Sequence, residues 1–416
     1  MEKKTLILCI ISALFVIVGF GAYMVNTYVF NFFGDPPLSF LNQNLKNDDS
    51  YEKYITEIGR LTPTFGAIAE LFTHVAQTEG GVYAFELLRR APLPPDIDVH
   101  LLGHVIGDEL YKQEGLDGML YCTPDFRNAC SHTIVIGALL ENGLGVFDEV
   151  NDVCKKAPGG IGAYTMCFHG FGHGVLAYTQ YEMPDAVELC RKVGTEAYNQ
   201  NEFHQCVGGM VMEMRQGIHD PEVWSTKKDK YLDVQDPFKL CASNYMPEEA
   251  KFFCYTYITP YIFDAAGAVR GNPTPDIFEV SFQYCEQTEK QWRLVCYEGI
   301  GKEFVVLAQD RDVRSVDQMT DDRLEKVIQW CDLAKVTDGT EACVQSAQNS
   351  LYWGGENDFN VSIRFCSAIP SGDLRLSCFK NMFGNVSYYE QNQQIKQEIC
   401  ESVPSEFKSI CTSLVQ

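Results

Sequence analysis

Five of the eight histidines fall between positions 100 and 173: His100, His104, His132, His169 and His173. Two pairs, His100/His104 and His169/His173, have the spacing H-x-x-x-H. On a helix, residues four apart share one face with Cβ atoms about 6 Å apart, so two such imidazoles can hold one metal ion. Asp108 continues the first stripe one turn beyond His104, where a carboxylate would complete or orient a site. These residues predict a transition-metal centre. Imidazoles with an occasional carboxylate suit zinc, copper, iron or nickel rather than calcium, and the spacing does not choose further. Five imidazoles exceed what one tetrahedral zinc takes, so they imply two ions, a higher coordination number, or rings that orient other rings. The competing reading is that such rings hydrogen-bond nearby carbonyls, or titrate together as a pH sensor. His74, His204 and His219 read as structural or surface residues.

Catalysis does not follow from this pattern alone. Asp108 and Glu109 are the acid–base candidates near the histidine face. Leu101-Leu102-Gly103 and Gly170-Phe171-Gly172 fill the two H-x-x-x-H pairs, so the glutamate of H-E-x-x-H peptidases is missing. No G-x-S-x-G elbow, phosphate loop or C-x-x-C-H haem attachment occurs. Gly159-Gly160-Ile161-Gly162 is too short for a dinucleotide fingerprint. Three classes of function remain: a metalloenzyme, a non-catalytic metal binder or sensor, and a scaffold that binds another protein on its repeat surface while its histidines only pack.

The elements that must position these rings are marked by cysteines. Sixteen of the 17 form eight close pairs: Cys122/Cys130, Cys154/Cys167, Cys190/Cys206, Cys241/Cys254, Cys285/Cys296, Cys331/Cys343, Cys366/Cys378 and Cys400/Cys411. The second members recur every 33 to 48 residues, the range of two-helix repeats. Zinc-thiolate motifs usually place two cysteines within two to four residues, and here no C-x-x-C occurs, so the pairs read as disulfides of an oxidising compartment. A helix ends near the first cysteine, a polar loop rich in Pro or Gly follows, and the second cysteine opens the next helix. Links between neighbouring units stay open as an alternative. Period-two alternation is scarce, so the expected fold is all-α: disulfide-stapled helical-hairpin repeats, α-solenoid-like.

Aligned on the second cysteine, His132 and His169 stand two residues after it and His173 six after it. At about 100° per residue these offsets lie within about 40° of each other, so the early units carry imidazoles on one shared helix face. Gly170, Gly172 and Gly174 are poor helix formers and need a reason, either close backbone crossing or a loop around a bound group. Gly299 and Gly301 recur at matching places without histidines, which favours crossing.

Lys3 and Lys4 precede an uncharged apolar run from Thr5 to Val25, and the next charge is Asp35. The run is long enough to cross a bilayer, and flanking lysines stay cytoplasmic. Residues 1–30 therefore read as a signal-anchor transmembrane helix, with a cleaved signal peptide as the alternative. Residues 31–50 read as a linker and 51–416 as the exported repeat domain. The expected location is a single-pass protein whose main domain faces the periplasm, the cell surface or another oxidising exterior. A formal net charge of −23 disfavours nucleic acid, whose phosphates need Lys and Arg.

Overall fold

The computed structural model describes residues 49–95, 97–193, 201–268, 274–352 and 358–415. The expected anchor, nearly all of the linker and Cys9 lie outside the described residues. The described chain is all-helical, about 80% helix without a strand.

Four helices precede the first disulfide unit: α1 (Asp49–Ile58), α2 (Phe65–Glu79), α3 (Gly81–Arg90) and α4 (Val99–Glu114). Local chemistry sets their limits. Thr64 and Asp98 cap α2 and α4 by accepting from the N–H groups of Ala67 and Leu101. Gly115, at φ 59°, stops α4 where a side chain would be strained.

Hairpins follow. Cys122 lies before α5 (Ala129–Asn142), which carries Cys130. Then α6 (Phe147–Cys154) is bridged to α7 (Gly160–Tyr178), and α8 (Met183–Cys190) to α9 (Asn201–Gln216). After α10 (Pro221–Tyr231), the short α11 (Lys239–Ala242) is bridged to α12 (Glu248–Tyr257). After α13 (Thr259–Ala265), α14 (Pro275–Gln287) is bridged to α15 (Arg293–Ala308) and α16 (Asp321–Cys331) to α17 (Thr337–Tyr352). Finally α18 (Phe359–Ala368) is bridged to α19 (Asp373–Tyr389), and α20 (Gln393–Ser402) to α21 (Lys408–Val415). All eight pairs close within their own hairpin, with Cα–Cα distances of 5.4 to 5.7 Å. Closing loops of this length contributes about 3 kcal/mol each through the entropy of the unfolded chain. Peptide mapping without reductant is expected to recover these eight links; crosslinks between neighbouring units would contradict the structure. Eight disulfides suit an oxidising exterior compartment.

The helices that carry the second cysteines pack on one another in chain order, from α5 through α7, α9, α12, α15, α17 and α19 to α21. Glycines permit this. A Cβ on Gly172 would stand 1.9 Å from the carbonyl oxygen of Cys206, and one on Gly301 would stand 2.1 Å from that of Cys343. Both glycines lie five residues after their own cysteine and meet the second cysteine of the next unit, so close crossing is their reason. Segments far apart in the described chain also meet. Arg314 donates to the carbonyls of Leu88 (2.6 Å) and Ala91 (2.8 Å), and Arg127 donates to Ser350 Oγ at 2.9 Å.

One stretch, Asp125–Cys154, is apolar and long enough to cross a membrane by length and composition, with 56% of its most apolar window buried. It comprises α5, α6 and short turns that pack in the protein core.

Candidate metal centre

Three helices and one turn bring the rings together. His100 and His104 come from α4, His132 from α5, His169 and His173 from α7. Ring centroids are 4.7 Å apart for His100–His104, 5.6 Å for His100–His132 and 5.5 Å for His104–His132. His132 lies 5.3 Å from His169, which lies 5.2 Å from His173. All five histidines singled out by spacing thus share one cluster, and His104, His132, His169 and His173 are at most 3% exposed.

A sixth ring joins them. His219 stands 5.9 Å from His173 and 6.1 Å from His104. His104 and His173 are 5.8 Å apart, so the three rings form a nearly equilateral triangle. Three imidazoles on one ion, at about 2.1 Å per bond, place their centroids about 5–5.5 Å apart. The triangle is about half an ångström wider than that, and the ligand atoms that converge within 4.8 Å are those of His100/His104/His132 and of His173/Glu213/His219. His219 lies on the turn after α9, which Gly217 makes possible at φ 62°. No helical period links it to the other histidines; its side chain is 6% exposed, so it is not the surface residue that the sequence allowed.

Glu213, on α9 and fully buried, holds this half of the cluster. Its Oε2 accepts from Nδ1 of His173 (3.1 Å) and of His219 (2.7 Å). Its Oε1 accepts from the Tyr181 hydroxyl (2.6 Å) and the His219 backbone N–H (3.0 Å). A carboxylate on Nδ1–H fixes the tautomer and leaves the Nε2 lone pair for a metal. The Nε2 atoms of His173 and His219 accordingly have no partner among the described residues. The only sequence signal for Glu213 was its place beside Met212, which shares the histidine face of its unit.

The other half is oriented by backbone. Phe126, Arg127 and Asn128 adopt left-handed φ values of 57°, 54° and 59° just before α5. Such conformations cost about 1–2 kcal/mol each and gather at functional sites. Here they direct the Phe126 carbonyl to accept from His100 Nδ1 at 2.6 Å. Nε2 of His100 then faces Nε2 of His104 at 3.2 Å, close to the nitrogen–nitrogen separation of about 3.4 Å across a tetrahedral ion. His104 Nδ1, both nitrogens of His132 and His169 Nδ1 are buried with no hydrogen-bond partner among the described residues. His169 Nε2 lies 3.2 Å from the sulfur of Met212.

Ligand atoms within 4.8 Å of one another form two groups, His100/His104/His132 and His173/Glu213/His219, and each can hold a metal ion. Asp108 belongs to neither. It lies one turn past His104 with its carboxyl pushed up to about 6 by burial, against the pull of His219 and Lys112. Glu109 is turned to Lys112, at 2.6 Å.

Burial first, then mutual repulsion, holds His104, His132 and His169 well below the ordinary imidazole pKa. Burial also lowers His100 and His173, in the latter against Glu213. For His219, burial is outweighed by Glu213 and the pKa rises. Burial pushes Glu213 up, but His219 and His173 draw it below the ordinary carboxylate range. At neutral pH most of the cluster is therefore neutral imidazole, the form that ligates metals.

The cluster opens onto a cavity of about 810 Å³, with His100, His132 and His169 in its wall. No family model, curated protein or solved structure matches this chain.

Proposed function

We propose that this chain is an exported, membrane-anchored protein of stacked helical hairpins whose six imidazoles hold a pair of transition-metal ions at the floor of a substrate cavity, as a metalloenzyme. One observation carries the reading: six imidazole nitrogens are buried with no hydrogen-bond partner among the described residues. Each would cost about 1–3 kcal/mol if left unsatisfied, and folded proteins have only about 5–15 kcal/mol of net stability. Histidines kept for packing alone, as in a scaffold, would be expected to have found carbonyl or hydroxyl partners.

The donor set narrows the ion. Nitrogen donors dominate, and the one carboxylate in the groups is engaged on two Nδ1 atoms. Copper binds such sites most tightly among first-row divalent ions, and the Met212 thioether beside His169 suits copper(I). Copper, zinc and iron all fit this donor set, and the thioether is the one feature that leans toward copper. A bound ion would supply an electrophilic or redox centre beside the cavity. The chain's own part is to hold neutral imidazoles with lone pairs inward, to exclude water from His104 and His173, and to present His100, His132 and His169 to the substrate.

Elemental analysis of the full-length chain, purified from an exporting host, is expected to find at least one transition-metal ion per chain. A His104→Ala/His173→Ala variant is expected to lose it while its disulfides stay formed. Wild-type protein that remains metal-free after exposure to copper, zinc and iron salts would remove this reading.

A further inference from the structure

The cavity above the imidazoles carries a charge pattern unlike the rest of the molecule. The chain as a whole has a net charge of −23. The cavity wall includes Arg127, Arg215, Lys302 and Arg311 against Asp98, Asp264 and Glu303. Several of these charges have partners within the chain, Arg127 on Ser350 Oγ at 2.9 Å among them. Lys302 pairs with Glu303 at 2.7 Å, and the Asp98 carboxylate caps α4. Arg215 stands at the end of α9, one turn beyond Met212, and its buried Nε has no hydrogen-bond partner among the described residues. Arg127 is delivered to the same wall by the left-handed segment that also orients His100. Apolar rings complete the enclosure, among them Phe65, Trp224 and Phe263.

We propose that this cavity binds an organic anion with an apolar body, its carboxylate or phosphate held by the guanidinium of Arg215 with Arg127 and Arg311 nearby, and its body laid beside the imidazole cluster. Guanidinium groups recognise such oxyanions through paired, charge-assisted hydrogen bonds. A volume of about 810 Å³ lies within the range of small-molecule sites, which combine apolar walls with a few polar anchors. The inference deepens the metalloenzyme reading by naming its substrate class. Recognition by the arginines does not itself require the metal.

The test uses calorimetry on the full-length chain in a non-ionic detergent, with three probes of one shape: phenylbutyrate, phenylbutanol and phenylbutylamine. The acid is expected to bind at least about tenfold tighter than the alcohol or the amine, the worth of one good ionic contact. The preference is expected to survive treatment with a chelator, to vanish in Arg215→Gln, and to return in Arg215→Lys. Equal affinities for the three probes would overturn the proposal. So would a preference that Arg215→Gln leaves intact, or one lost only when metal is removed. That last result would place the anion on the metal and leave the metal centre standing. Should Arg215→Gln fail to fold, Arg311→Gln and the wild-type probe series decide the same point.

Discussion

Glu213→Ala is expected to lower folding stability by about 3–5 kcal/mol, the range seen when one partner of a buried charged network is removed. The carboxylate has no exposure and accepts four hydrogen bonds, from two imidazoles, a phenol and a backbone N–H. Alanine leaves all four donors buried and unpaired. For a body of this size the midpoint of thermal unfolding should fall by on the order of 5 °C. Glu213→Gln separates packing from tautomer control. The amide nitrogen avoids the Oε1 side, where the fixed backbone N–H of His219 already donates, so it faces the two Nδ1 atoms, which must then accept and leave Nε2–H turned inward. Metal affinity is then expected to fall by about 10- to 100-fold, the usual effect of losing an orienting carboxylate. Circular dichroism should stay close to wild type. Wild-type metal affinity in Glu213→Gln would show that this carboxylate does not orient the site.

Gly209→Ala is expected to be among the most disruptive glycine substitutions of the described residues. A Cβ there would lie 1.8 Å from the carbonyl oxygen of His169 and 3.1 Å from the backbone nitrogen of His173. Both neighbours are backbone, so no side chain can rotate away. Helices α7 and α9 would have to separate, moving both α7 histidines away from Glu213. Overpacking of this kind costs about 3 kcal/mol or more, against about 1 kcal/mol recovered from replacing glycine in a helix. Gly384→Ala in α19 is the control, because a Cβ there meets nothing within 4 Å. It should stabilise by about 0.5–1 kcal/mol. Chemical denaturation of the two variants beside wild type reads both signs. A Gly209→Ala protein as stable as wild type would contradict the close crossing of α7 and α9.

The sequence by itself determined the helices, the disulfide frame and most of the rings. Each of these is written in local spacing. A 3.6-residue period sets His100 over His104 and His169 over His173, and short Cys-to-Cys loops make closure within a hairpin the least costly in entropy. The repeat register also put His132 and His169 on equivalent faces, because equal offsets from a fixed cysteine give equal angles. Asp108 shows the limit of that reasoning. It follows His104 in period, but neither ligand group includes it. His219 and Glu213 reach the imidazole cluster, and arginines gather above it in an acidic chain, through the fold alone. Those residues enter through a glycine turn, through helix crossings set by missing side chains, and through a left-handed segment before α5. Such features depend on which backbones approach one another across tens of residues, and residue spacing along one chain holds no record of that distance.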